Sequence, residues 1–127
     1  MSHWTKSKVK IKKLYLLKKA CEDMGVEFHE GTTDLTTVAG TKTVEGVISC
    51  GQRGGEAGIV KEKDGTYSIM MDNWRNPLVS KCGPNCDLLM QRYTTEVAKA
   101  EARALGGMVA SQRVQEDGWL RLEIQVA

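Results

Sequence analysis

The chain has very little proline, few aromatic residues and no long apolar run. Its 127 residues include 2 prolines and 6% aromatic residues, while 41% are hydrophobic and 27% are charged. This composition excludes a disordered chain, a collagen-like repeat and a low-complexity linker. No apolar stretch reaches the roughly 18 residues that a membrane-spanning helix requires. We therefore expect one globular domain over residues 1–127, and no membrane partner.

The start of the chain also lacks the order of a secretion signal, in which basic residues precede an apolar run. The cysteines are too few and too scattered for the disulfide framework that stabilises many small secreted domains. They are Cys21, Cys50, Cys82 and Cys86. We expect free thiols and a cytoplasmic location.

Two stretches carry the spacing of amphipathic helices. Apolar residues recur at intervals of three and four between Leu14 and Met24, and Gly25 is suited to a left-handed helix stop. This pattern predicts a helix over residues 13–24. An alanine-rich segment with the same spacing predicts a second helix over residues 87–105, before two glycines.

Strand signals fill much of the remaining sequence. Alternation predicts a half-buried strand over residues 6–12, and short apolar runs predict strands over residues 26–28 and 44–48. Asp64-Gly65 and the Asp-Gly pair at residues 117–118 each separate two apolar segments, which indicates two hairpins. Residues 31–43 show no period, and regular structure should lapse over residues 72–86, which contain both prolines. The order predicts an α+β fold, with two helices packed on one face of a single, mostly antiparallel sheet.

Three stretches together resemble a known family. They are the opening segment through residue 20, the run Met71-Asp72-Asn73-Trp74, and the stretch from Leu89-Met90-Gln91-Arg92-Tyr93 to residue 122. They are similar to the domain of unknown function 1257 family, which includes a hypothetical reading frame of plastid and cyanobacterial genomes and relatives in bacteriophages. Members tend to be encoded near an AAA-type ATPase, so the resemblance implies an accessory or adaptor role.

The leading functional hypothesis is a non-enzymatic interaction module that docks through an exposed sheet face or an unpaired edge strand. The expected partner is a protein, either an AAA-type ATPase or a second copy of the chain. Because aromatic and arginine side chains are frequent in binding hot spots, Trp74, Arg92 and Trp119 are the candidate partner-binding residues. The simpler, alternative interpretation of Trp74 is a plug that closes one end of the core. No nucleophile signature is present, and we expect neither catalysis nor a cofactor.

A second hypothesis concerns lysines at every second position of the predicted first strand. A row of lysines on one strand face can contact successive phosphates of a nucleic acid. Lysines also protect edge strands from aggregation, and that alternative explains the row without a ligand. The candidate nucleic-acid-binding residues are Lys6, Lys8, Lys10 and Lys12.

A third hypothesis concerns Cys82 and Cys86, which bracket Gly-Pro-Asn. Two thiolates at this spacing can contribute to a tetrahedral metal site, provided that two further ligands come from elsewhere in the chain. A second closely spaced ligand pair is missing. The simpler interpretation is an ordinary loop with two exposed thiols.

Overall fold

Two antiparallel sheets and two long helices form the part of the chain that this computed structural model describes, residues 2–7, 9–114 and 120–126. The larger sheet has five strands in the order β1-β5-β4-β3-β2, and the smaller one is a hairpin of β6 and β7. All neighbouring strands are antiparallel, which confirms the predicted α+β class. The strands are β1 (Trp4–Lys6), β2 (Glu27–Thr37), β3 (Gly40–Ser49), β4 (Glu56–Lys61), β5 (Tyr67–Asp72), β6 (Gly107–Val114) and β7 (Leu120–Val126).

The helices match the sequence periodicity closely. Helix α1 spans Leu14–Met24 and ends at Gly25, whose φ of 72° gives the left-handed stop expected there. Helix α3 spans Asp87–Ala104. A short helix α2 (Leu78–Cys82) and one 3₁₀ turn (Pro84–Cys86) precede α3, so the region around the prolines is more regular than the sequence indicates. None of the described helices is long and apolar enough to cross a membrane.

The main core lies between the helices and one face of the five-stranded sheet. Its strand residues include Ile48, Ile59 and Ile69, which pack with Leu17 of α1 and Leu89 of α3, all at most 1% exposed. Burying side chains of this size stabilises the fold by about 1.5–3 kcal/mol each. The two long helices therefore pack on one face of this sheet, as predicted.

A smaller cluster covers part of the opposite face. The β2–β3 hairpin has a bulge between Glu30 and Thr33, and beyond it Leu35 and Val44 are buried. Both side chains lie over Gly58 of β4, because a Cβ at Gly58 would be 2.5 Å from Cγ1 of Val44 and 3.3 Å from Cδ2 of Leu35. The bend thus brings the hairpin tip back across the sheet, which matters for the groove described below.

The predicted strand over residues 6–12 is wrong. Only Trp4–Lys6 is a strand, and Ile11 returns to the sheet through a single bridge to Tyr67. The Ser7 hydroxyl explains the interruption, because it accepts a hydrogen bond from the Ile69 amide at 3.0 Å and thereby replaces a backbone acceptor of the ladder. The row of alternating lysines is therefore not one continuous strand face.

The expectation of one shared sheet is also wrong, because β6 and β7 form a sheet of their own. A connection of only two residues, Leu105 and Gly106, joins α3 to β6. It keeps the hairpin beside α3, and both β6 and β7 contact that helix. The hairpin itself is confirmed. Alternation of apolar and polar residues over 120–126 predicts that Leu120, Leu122, Ile124 and Val126 face a core, and the side chains of these four residues lie outside the description.

Residues 31–43, for which no period is apparent, form most of a long two-stranded arm. Threonine favours strands, but side chains that are polar on both faces give no alternation from which a strand can be recognised. The structure pairs them across the arm, where the Thr36 and Thr41 hydroxyls are 2.9 Å apart and Thr43 donates to Asp34 at 2.8 Å.

Candidate protein-binding groove

A groove of about 480 Å³ lies where three distant segments meet. One wall is the tip of the β2–β3 arm at residues 35–38, and another is the segment that follows β5, at residues 72–76. The loop between β3 and β4 contributes Arg53 and Gly54, and β4 contributes Glu56. We refer to this site as the Trp74 groove.

Asp72 holds the turn that carries Trp74. It is 4% exposed, and its carboxylate accepts hydrogen bonds from the Trp74 amide at 3.0 Å and from the Ser2 hydroxyl. Burial by itself would raise the pKa of Asp72, but these bonds and one from the His3 amide outweigh it and lower the pKa below its ordinary value. The carboxylate is therefore a structural acceptor rather than a free general acid.

Asn76 fixes the other end of the same turn. Its side-chain amide donates to the carbonyl oxygens of Glu56 at 3.0 Å and Asp72 at 2.9 Å, while its Oδ1 accepts from the Leu78 amide at 2.9 Å. One buried side chain thus connects β4, β5 and the start of α2. Because all of these bonds are made without a ligand, the segment of residues 72–76 is held in place in advance.

A second network of polar side chains connects the turn at residues 72–76 to Asn85 and to β1. The Asn73 side chain donates to Oδ1 of Asn85 at 2.7 Å and accepts from the Asn85 amide at 2.8 Å. The Thr5 hydroxyl of β1 also donates to Oδ1 of Asn85. Asn85 has a positive φ of 56°, a conformation that asparagine tolerates better than most residues.

Trp74 itself is 41% exposed, although it is one of the largest apolar side chains in the protein. The Arg75 guanidinium lies over its ring, 4.5 Å from the centroid, in cation–π contact. Arg75 has a φ of 50°, which costs energy for a side chain of this kind. This exposure does not support the alternative interpretation of Trp74 as a plug of the core.

The other predicted partner-binding residues do not join the Trp74 groove. Arg92 is half-buried on α3, is absent from the groove lining, and forms no ion pair with Asp72 or Asp87. Trp119 lies outside the described residues. Sequence reasoning missed Arg53 and Arg75, although the polar run at residues 72–76 is rich in Asp and Asn, which commonly form turns that present a neighbouring side chain.

Two lysines of the predicted row are paired with carboxylates of the protein. Lys6 lies 2.8 Å from Glu62, and Lys10 lies 2.9 Å from Asp64. The hydrogen bond to Asp64 raises the pKa of Lys10. Lys12 is exposed, while Lys8 lies outside the described residues. The candidate nucleic-acid-binding residues therefore do not present one uninterrupted cationic row.

Cys82 and Cys86 are both 0% exposed, which contradicts the expectation of exposed thiols in a loop. Sγ of Cys86 contacts Sδ of Met71 at 3.5 Å, beneath β5. A hydrogen bond between the two cysteines lowers the pKa of Cys82 and raises that of Cys86, while burial raises the pKa of Cys21 to about 12. Over the residues described, no three side chains of the ligating types are grouped so that they could hold a metal ion.

Comparison with family models gave one match, to the family described as protein of unknown function (DUF1257), over residues 20–123. The match includes every segment of the Trp74 groove, whereas the basic residues before position 20 lie outside it. No curated protein and no solved structure matches the chain. Because the matched region covers most of the 127 residues, the chain belongs to the DUF1257 family of proteins of unknown function.

Proposed function

We propose that this protein is a non-enzymatic interaction module that binds an extended segment of a protein partner in the Trp74 groove. The observation that carries the proposal is the large exposed indole, held over a pre-formed groove by a turn whose polar groups are already satisfied. A rigid aromatic side chain gives a large contact area at a small cost in conformational entropy. Trp74 thus has the properties of a binding hot spot.

The charges around the groove favour an acidic segment. Arg53 and Arg75 are exposed, whereas Glu56 is half-buried and Asp72 is buried with its oxygens already engaged. The surface that an incoming chain meets is therefore mainly cationic. Val38, which is 76% exposed on the opposite wall, provides a second apolar contact. The best-fitting ligand is a peptide with one large apolar side chain next to Asp or Glu residues.

The chemistry of the groove favours binding over catalysis. Among the described residues that line it there is no histidine and no cysteine, and its buried carboxylate is held ionised by hydrogen bonds. General-base catalysis and nucleophilic catalysis commonly use a histidine or a cysteine within reach of the substrate. We propose an adaptor role within a larger assembly, and an AAA-type ATPase is the partner class that the family resemblance implies.

Selection of a displayed random-peptide library on the immobilised protein tests this proposal. We expect enrichment of acidic peptides with one aromatic or large aliphatic residue. Trp74→Ala should weaken the binding of a selected peptide roughly 30-fold or more, since truncation of a hot spot costs about 2 kcal/mol or more. Arg75→Glu should weaken it further for the most acidic peptides.

Leu105→Ala is the matched control, because Leu105 is 77% exposed and lies outside the groove. It should leave the dissociation constant unchanged. Thermal unfolding of each variant checks that the fold is retained. A library that yields no enriched peptide, or peptides that bind Trp74→Ala as tightly as the wild type, would refute the proposal.

A further inference from the structure

One side of helix α1 is basic over its first two turns and is not covered by the rest of the described chain. The helix buries Leu16, Leu17, Ala20 and Cys21 against the core. Its other side carries Tyr15, which is 64% exposed, together with Lys18 and Lys19, and it ends in two exposed acidic residues, Glu22 and Asp23. Lys12 and Lys13, immediately before the helix, are also exposed. We call these five residues the α1 basic surface: Lys12, Lys13, Tyr15, Lys18 and Lys19.

These lysines differ from Lys6 and Lys10, which are paired with carboxylates. Over the part of the chain that the structure describes, no carboxylate lies within 4.0 Å of the ammonium groups of Lys12, Lys13 or Lys18. Lys19 only reaches Glu96 at 4.0 Å, and Glu96 is closer to Lys99, at 3.6 Å. The four lysines outnumber Glu22 and Asp23 on this side of the molecule, so the surface keeps a net positive charge that can attract an external anion.

The surface is also held rigidly at its start. The Tyr93 hydroxyl, which is buried at α3, accepts hydrogen bonds from the backbone amides of Lys12 at 3.0 Å and Lys13 at 3.4 Å. This ties the entry of α1 to the second long helix. The lysines accordingly project from a fixed scaffold rather than from a loose terminus.

The exposed aromatic ring decides which polyanion fits best. Tyr15 is three and four residues from Lys18 and Lys19, so the three side chains are neighbours on the helix surface. A cluster of lysines by itself attracts any acidic partner. An exposed ring between lysines additionally provides a stacking platform, and that combination characterises sites for single-stranded nucleic acid.

We propose that the α1 basic surface binds single-stranded nucleic acid, with phosphates on the four lysines and a base stacked on Tyr15. The proposal goes beyond the proposed function, because none of these residues belongs to the Trp74 groove. Each phosphate that a lysine neutralises releases a counterion, so the salt dependence of binding reports the number of contacts.

Fluorescence anisotropy with a labelled oligothymidylate of roughly 12 nucleotides, titrated at several salt concentrations, tests the proposal. With four phosphate contacts, the slope of log K against log salt should be about −2.8. In Lys18→Gln/Lys19→Gln it should fall to about −1.4, because two contacts are lost. Tyr15→Ala should weaken binding roughly tenfold and leave the slope unchanged, because stacking releases no counterion.

Lys42→Gln/Lys63→Gln is the matched control, since it removes the same charge from two exposed lysines elsewhere on the surface. It should retain the wild-type slope, and Trp74→Ala should retain wild-type affinity. The proposal is overturned by absent binding at about 50 mM salt, or by equal losses in the control pair. It is also overturned if Tyr15→Ala has no effect or a duplex binds equally well, because the surface would then attract acidic molecules, including proteins, without selecting single strands.

Discussion

Replacing Gly58 by alanine adds one methyl group on the face of the sheet opposite the helices, where Val44 and Leu35 pack over β4. The new Cβ would lie 2.5 Å from Cγ1 of Val44 and 3.3 Å from Cδ2 of Leu35. Carbon atoms in contact prefer about 3.5–4.0 Å, so Val44 would have to move by roughly 1 Å. Gly58 has an ordinary φ, so backbone strain makes no contribution.

The expected cost of Gly58→Ala is about 1–3 kcal/mol, the usual range for one extra methyl group in a full core. Val44 cannot yield easily, because it is 1% exposed and its β-branched side chain has few accessible rotamers. With an unfolding entropy of about 2.1 cal/mol/K per residue, the 127-residue chain should lose about 4 °C in Tm for each kcal/mol. The fall in Tm should therefore be about 4–12 °C.

Urea denaturation of Gly58→Ala, Val44→Ala and the double variant measures the coupling directly. Val44→Ala removes the clashing Cγ1, so the added methyl group should cost less in that background. The double variant should therefore be more stable than the sum of the single effects by about 1–3 kcal/mol. Purely additive effects, or a stabilising Gly58→Ala, would refute the described packing of the β2–β3 arm over β4.

Three further predictions concern stability, thiol reactivity and pH. Tyr93→Phe should destabilise the protein by about 1–3 kcal/mol in urea denaturation, because it leaves two backbone amides without their hydrogen-bond acceptor. Tyr15→Phe, at an exposed position, is the control, and an equal loss of stability in that variant would contradict the prediction. A chromogenic disulfide reagent should modify the half-buried Cys50 first. The three buried cysteines should react only when the protein unfolds, and rapid reaction of all four thiols in the folded protein would contradict their burial. Hydrogen bonds from Thr66 and from Lys10 hold the pKa of Asp64 below its ordinary value of 3.8, so its contribution to stability is complete above that pH and is lost as the pH falls below it. Asp64→Asn should accordingly lose less stability than the wild type between about pH 6 and about pH 3, and identical losses would contradict the assignment.

The candidate site shows which functional features residue patterns predict and which they do not. The residue type and the turn-rich surroundings identify Trp74 as a candidate binding residue. They do not predict the groove, because its walls come from residues 35–38, 53–56 and 72–76. Likewise, the alternation of lysines was visible, whereas their pairing with Glu62 and Asp64 depends on the fold. Cys82 and Cys86 have the sequence context of a loop, yet both are buried in the main core, where Cys86 contacts Met71 of β5.

The sequence alone determined the two long helices, the Asp-Gly hairpin of β4 and β5, the C-terminal hairpin and the α+β class. Each depends on spacing or turn chemistry within a short window, where side-chain direction follows directly from the local backbone. Only the tertiary structure decided the end of β1 at Ser7, the threonine-rich arm, the separate β6–β7 sheet and the groove. These features depend on which distant strand supplies a hydrogen-bond partner and which side chain fills a given space, and no local pattern encodes such long-range contacts.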